Sequence, residues 1–145
     1  DINTCEEFSK IRPLYYRGSR IGIIVVDLSD RGQISNIPNI LKEFWTNSAG
    51  PWPIIIVGLK PRWGGDISAS ERLERLVDRI TMHTVVESKY IEISGNGQER
   101  LRDAIISTVR RLIFMFYFRK VPIFTQNVSR RQVSMLIESI RSSIC

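Results

Sequence analysis

The sequence predicts an α/β domain in which helices cover a parallel β-sheet on both faces. Its 145 residues, 43% apolar and 25% charged, have the size and balance of one globular domain. Short runs of β-branched residues alternate with longer stretches in which apolar residues recur every three to four positions. The order strand, helix, strand, helix, strand favours right-handed crossovers and therefore parallel strands.

Three strands are predicted from the apolar runs at 21–26, 54–57 and 90–93, of which the third is the weakest. The first two runs, IGIIVV and IIIV, contain no alternation with polar residues. Such continuous runs are typical of strands that are buried on both faces of a sheet. We therefore expect these strands to form the centre of the domain.

Helices are predicted between the strands, over 34–45 and 70–82, because each stretch places its apolar residues on one stripe. A longer helix begins at Gln98, and its last turns up to Phe118 are apolar on all sides. A final helix over 129–144 is the expected cover for those turns, with Ser129 as its N-cap. The predicted organisation is a domain over 1–119 and a helical extension over 120–145.

Charge and cysteine content limit the classes of function. The chain has 21 Lys and Arg residues and 15 Asp and Glu residues, and the net charge of +6 lies entirely in the segment from Gln98 onward. An excess of this size does not indicate a nucleic-acid partner. The two cysteines, Cys5 and Cys145, are too far apart in sequence to suggest a zinc site or a disulfide framework. No apolar run approaches the ~20 residues of a membrane span. These features predict a cytoplasmic protein, in solution, peripheral on a membrane or in a large complex.

Four segments have a recognisable pattern: DINTCEEFSKIRPLYYRG at the start, then IGIIVVDLSD, PIIIVGLK and YIEIS. Together they resemble the Ras superfamily of small GTPases, most closely the Rab branch, from the switch II segment to the last helix. Asp1 and Glu6 match the switch II motif, and residues 15–18 match the Tyr-Tyr-Arg-Gly turn of that family. The resemblance covers about 1–111. It implies a partial P-loop GTPase-like sheet, GTP or GDP with Mg²⁺ as ligands, and GTP hydrolysis as the family activity.

The phosphate-handling motifs of that family are changed or lie outside these residues. The phosphate loop GxxxxGK[ST] does not occur in the 145 residues. The resemblance places Thr4 where the family has the switch II glycine, and Cys5 where it has the glutamine that orients the attacking water. A thiol cannot accept and donate hydrogen bonds as an amide does. We therefore expect no hydrolysis by the family mechanism and assign no catalytic residue.

The guanine-reading motifs are changed as well. The family's Asn-Lys-x-Asp corresponds to residues 59–62, Leu-Lys-Pro-Arg, so a cation stands where the N–H donors of guanine need an acceptor. The family's Ser-Ala-Lys corresponds to residues 94–96, Ser-Gly-Asn, which preserves backbone donation and loses the lysine stem. No metal ligand is predicted. The vestigial nucleotide contacts implied by the resemblance are Asp1, Thr4, Lys60, Arg62, Ser94 and Gly95.

Two surfaces are predicted to bind proteins. In Rab proteins the switch II helix forms much of the effector surface, although packing of the same side chains on the sheet is an equally weighted interpretation. The corresponding residues are Phe8, Ile11, Leu14, Tyr15 and Tyr16. Trp63 is either a binding anchor or a staple of its own loop. The resemblance implies the second surface, because in the family's sheet the phosphate-loop strand lies beside the strand over 21–26 and these residues do not contain it. The bare edge should recruit a strand from an upstream segment, another chain or residues 121–128.

The resemblance and its departures predict a degenerate Rab-like GTPase that binds proteins, with vesicle traffic as its setting. Two alternatives stay open: a GTP-binding Rab-like GTPase whose first third lies outside these residues, and a structural subunit of a larger assembly. The basic tail suits an anionic membrane or an acidic protein, but a solvated helix face is the commoner explanation of such charge. Asp27 is predicted to be a turn residue at a strand end, and His83 a surface or capping residue. Cys145 matches no lipidation motif of the family.

Overall fold

A computed structural model describes residues 10–60, 67–84, 87–94 and 98–118, together with Met135 and Glu138. Its elements are α1 (Arg12–Tyr16), β1 (Gly22–Asp27), α2 (Arg31–Ser48), β2 (Ile54–Leu59), α3 (Ile67–Thr81), β3 (Lys89–Ile93) and α4 (Gln98–Phe118). The strands form a parallel sheet in the order β1-β2-β3. The predicted α/β class is confirmed. The predicted extension over 120–145 lies outside the described residues, apart from Met135 and Glu138, which are both helical.

The central strand β2 is buried on both faces because both of its neighbours and both helical layers cover it. Ile54, Ile55, Ile56 and Val57 are all essentially inaccessible to solvent. The residues of β3 are all only partly buried. This difference explains why the apolar run of β2 is so clear in the sequence and that of β3 is weak.

Two layers of helices enclose the sheet. On one face, α2 and α3 pack against alternate residues of β1 and β2. This core comprises Ile24, Val26, Ile54 and Ile56 from the strands, with Ile37 and Leu41 from α2 and Leu73, Leu76 and Ile80 from α3. On the opposite face, α4 packs on β2 and β3. No helix in the described part of the chain is long and apolar enough to cross a membrane.

Helix α2 begins and ends beyond the apolar stripe that predicted it over 34–45. Asp30 is its N-cap, and the Asp30 carboxylate accepts hydrogen bonds from the N–H groups of Gly32 (2.8 Å) and Gln33 (3.1 Å). The helix ends at Ala49, whose positive φ of 60° reverses the chain. The first turn is polar and exposed, so hydrophobic periodicity did not reveal it.

Candidate nucleotide site and protein-binding surfaces

The carboxyl ends of β2 and β3 bring together the described residues of the two altered guanine motifs. Leu59 is the last residue of β2 and is exposed, and Ser94 follows β3 and is also exposed. The Lys60 N–H donates to the Ile93 carbonyl at 3.0 Å, which fixes one motif beside the other. Arg62 and Gly95 lie outside the described residues, as do Asp1 and Thr4. The sheet therefore places Lys60 and Ser94 at one edge, as the resemblance implies.

Lys60 is engaged by a carboxylate at this edge. Its Nζ lies 3.5 Å from Glu92 Oε2, and the Tyr90 hydroxyl donates to Glu92 Oε1 at 3.2 Å. Hydrogen bonding to the Ser70 hydroxyl is the largest effect on the Glu92 carboxyl and lowers its pKa below the usual value. Tyr90 and Lys60 lower this pKa further, whereas partial burial raises it. Burial raises the pKa of Tyr90 to about 12. The Glu92 carboxylate thus accepts hydrogen bonds from Ser70 of α3, from Tyr90 of β3 and from Lys60, which follows β2.

This network depends on a glycine in the neighbouring strand. A Cβ atom at Gly58 would lie 2.7 Å from the Tyr90 hydroxyl and 2.9 Å from Leu28 Cδ2. Both distances are shorter than side chains tolerate, so the Tyr90 ring can lie against β2 only because Gly58 has no side chain. Tyr90, Glu92 and Ser70 are not among the site residues predicted from the sequence. The alternation in YIEIS does place the first two on one face, and that signal was available.

GTP or GDP with Mg²⁺ is the ligand set that the family implies, and the residues at this edge do not fit guanine. Leu59 presents an apolar side chain in place of an amide, and Lys60 is paired with Glu92. Arg62, which lies outside the described residues, stands by resemblance where the family has an acceptor, and an arginine side chain has only donors. In the described ranges no three His, Cys, Asp or Glu side chains are grouped so as to hold a metal ion. Asp27 accepts hydrogen bonds from the Ser29 hydroxyl and N–H, which lower the pKa of the Asp27 carboxyl. It is a turn residue at the end of β1.

The predicted docking helix is α1, and it presents three apolar side chains to solvent. Leu14 and Tyr15 are 59% and 64% exposed, and Ile11 beside them is also exposed. Tyr16 is only 7% exposed, because its ring packs edge-on against Phe44 of α2 with the centroids 5.7 Å apart. Tyr16 therefore supports the exposed face from beneath rather than forming part of it. Phe8 and Trp63 lie outside the described residues.

An ion pair joins α1 to α2 next to that face. Arg12 Nε lies 3.0 Å from Glu43 Oε1, and Arg12 Nη2 lies 3.2 Å from Glu43 Oε2, so the guanidinium binds the carboxylate in a fork. Both side chains are partly buried. Burial and then the Glu43 carboxylate raise the pKa of Tyr16, with Arg12 acting in the opposite direction. The two partners are 31 residues apart, and no sequence pattern connected them.

The free edge of β1 is the second predicted surface. The Gly22 N–H donates to the Pro53 carbonyl, so even-numbered residues of β1 face β2 and the backbone groups of Ile23 and Val25 point away from it. The Ile23 and Val25 side chains are 46% and 55% exposed. At Asp27 the outward N–H is already taken by Gln33 Oε1 at 3.0 Å. In the described part of the chain, β1 is therefore an edge strand whose open segment is centred on Ile23 and Val25, and residues 121–128 are not among those described.

Helix α4 lies over β2 and β3 and carries exposed apolar side chains of its own. Lys89 Nζ lies 2.5 Å from Ser107 Oγ, and Arg111 pairs with Glu87, so one flank of α4 is directed to β3. Ile106, Val109 and Ile113 of the same helix are all exposed.

Comparison with known proteins agrees with the fold. The sequence profile of the Ras family matches residues 1–114. The Ras-related protein Rab-22A of Homo sapiens is 29% identical over 107 residues, which cover 74% of this chain and 53% of that protein. Rab-22A of Canis lupus familiaris matches with the same identity and the same shares. The chain thus spans about half the length of the curated relatives it matches. With a family match over most of its length and a parallel sheet flanked by helices, the chain belongs to the Ras family of small GTPases and resembles its Rab-like members.

Proposed function

We propose that this chain is a degenerate Rab-like GTPase that binds proteins and does not bind guanine nucleotide. The observation that carries this proposal is the motif at the end of β2, in which Lys60 is paired with Glu92 and residues 59 and 62 are Leu and Arg in place of an amide and a carboxylate. Hydrogen bonds to a charged group contribute about 1.5 to 3 kcal/mol each. Losing an acceptor for two guanine donors would therefore weaken binding by roughly a hundredfold or more.

A second argument concerns the reaction itself. By resemblance, Cys5 stands where the family has the glutamine that orients water, and a thiol is a poor donor and a poor acceptor. The glutamine acts by positioning rather than by covalent chemistry, so its geometry and its two hydrogen-bonding groups both matter. We therefore propose that the chain has no GTPase activity of the family type.

The proposed activity is protein binding through two surfaces. The first is the apolar face of α1, formed by Ile11, Leu14 and Tyr15. The second is the edge of β1 at Ile23 and Val25, where no described strand pairs and a strand of another polypeptide can add to the sheet. The resemblance to Rab proteins makes vesicle traffic the setting that we propose, with the protein in the cytoplasm or peripheral on a membrane.

Nucleotide titration tests this proposal. The full-length protein is titrated with fluorescent GDP and GTP in Mg²⁺, and no saturable binding is expected up to high micromolar nucleotide. The matched variant carries Leu59→Asn and Arg62→Asp, which restore the family's motif. Binding by the wild type at micromolar or lower concentration would contradict the proposal. Binding by the restored variant alone would identify this segment as the cause of the loss.

The retained Lys60 and Ser94 favour a second candidate, a GTP-binding Rab-like GTPase whose phosphate-binding part lies outside these residues. The titration separates the two, because only this candidate predicts tight binding by the wild type. The exposed Ile113 and Phe114 favour a third candidate, a structural subunit whose α4 end is covered by a neighbour. For that candidate, aggregation of the isolated protein should be relieved by a single partner.

A further inference from the structure

Helix α1 is too short to be stable on its own. It has five residues and no side-chain cap at its start, since Ile11 makes no capping hydrogen bond. Isolated helices shorter than about 12 to 15 residues are marginal in water. Pro13 fixes one φ angle in the first turn, but this restricts the chain without adding a contact. In the described part of the chain, the surface on which α1 lies is α2, and we infer that this surface supports its helical form.

Two contacts attach α1 to α2, one near each end of the short helix. Near its start, the Arg12 guanidinium forms the forked pair with Glu43 at 3.0 and 3.2 Å. At its end, the Tyr16 ring packs against Phe44. Glu43 and Phe44 are adjacent in α2, so both contacts are made with a single turn of that helix. The outward face between these attachments carries Leu14 and Tyr15.

We propose that the Arg12–Glu43 pair is a positioning pair that keeps α1 folded and its apolar face presented without a bound nucleotide. The inference rests on the proposed binding role of that face. A partner with a complementary apolar surface then meets a preformed helix, and little conformational entropy is lost on docking. Because the forked pair needs both carboxylate oxygens, a neutral isostere at Glu43 removes the charge and one of the two acceptors while leaving the shape of the side chain.

Hydrogen exchange of the chain alone tests the inference. The variant Glu43→Gln should increase exchange of amides 14–19 at least tenfold, while amides 54–57 of β2 exchange as in the wild type. The double variant Arg12→Glu with Glu43→Arg reverses the pair and should restore much of the protection. Glu71→Gln is the matched control, because it removes a carboxylate from an exposed helical pair with Arg75. It should leave both segments unchanged.

Three results would overturn the inference. Unchanged exchange of α1 in Glu43→Gln would show that the pair does not hold the helix. An equal increase in β2 would assign the pair to the general stability of the fold. Protection of α1 that develops only after GTP or GDP is added with Mg²⁺ would show that nucleotide, rather than the ion pair, orders the helix. No protein partner is present in these measurements, so a negative result overturns the inference without contradicting the proposed binding role of α1.

Discussion

Replacing Gly58 by alanine is the sharpest test of the packing at the carboxyl edge of the sheet. The added methyl group would lie 2.7 Å from the Tyr90 hydroxyl and 2.9 Å from Leu28 Cδ2, so at least one of these side chains must move. Moving Tyr90 breaks its 3.2 Å hydrogen bond to Glu92. Overpacking of this kind typically lowers the free energy of unfolding by about 1 to 3 kcal/mol. Urea unfolding, followed by the fluorescence of the buried Trp45 and Trp52, measures the loss.

A double-mutant cycle identifies the cause. Tyr90→Phe removes the nearer of the two clashing groups, so Gly58→Ala should destabilise the Tyr90→Phe variant less than it destabilises the wild type. The difference should be at least about 0.5 kcal/mol, the scale at which contacting residues couple. Ser35→Ala, at an exposed site on α2, is the control for handling and assay error. A Gly58→Ala variant as stable as the wild type would refute the reasoning, and so would strict additivity of the two substitutions.

Three further predictions concern the helix cap, pH and the strand edge. Asp30→Ala should lower the free energy of unfolding by about 1 kcal/mol, because two N–H groups at the start of α2 lose their acceptor. An unchanged midpoint of urea unfolding would contradict this prediction. Burial raises the pKa of Tyr90 from 10.0 to about 12, so the stability linked to its neutral hydroxyl is full below about pH 10 and is lost as the pH rises towards 12. Denaturation curves between pH 8 and 12 should therefore show a steeper fall for the wild type than for Tyr90→Phe, and parallel falls would count against it. Val25→Lys should change the free energy of unfolding by less than about 0.5 kcal/mol, because the Val25 side chain is exposed. It should also reduce aggregation measured by light scattering, because a charge on an open edge opposes strand pairing. Equal aggregation of the two proteins would count against an open edge.

The fold was predictable from the sequence where burial is uniform. The isoleucine run of β2 is buried on both faces, so composition alone identified it. Helix α2 was found, but its limits were not, because its first turn is polar and depends on the Asp30 cap. The partly exposed β3 gave the weakest signal for the same physical reason, since partial exposure permits polar residues such as Glu92 within the strand.

The residues of the site were predictable only where a motif of the family identified them. The resemblance identified Lys60 and Ser94 as vestigial nucleotide contacts, and the parallel sheet has them at one edge. The partner of Lys60 is 32 residues away and that of Arg12 is 31 residues away, so neither ion pair could be read from local patterns. Tyr16 was grouped with its exposed neighbours because nothing in the sequence showed that Phe44 of α2 would cover its ring.

The nucleotide content of the purified protein tests the central claim most directly. The full-length protein is prepared natively with Mg²⁺ throughout and is then denatured, and the released small molecules are separated and quantified against protein concentration. The absence of an acceptor for guanine at Arg62 and the engagement of Lys60 by Glu92 predict far less than one guanine nucleotide per ten protein molecules. Recovery of GDP or GTP near one equivalent would contradict the claim and establish the protein as a nucleotide-binding GTPase.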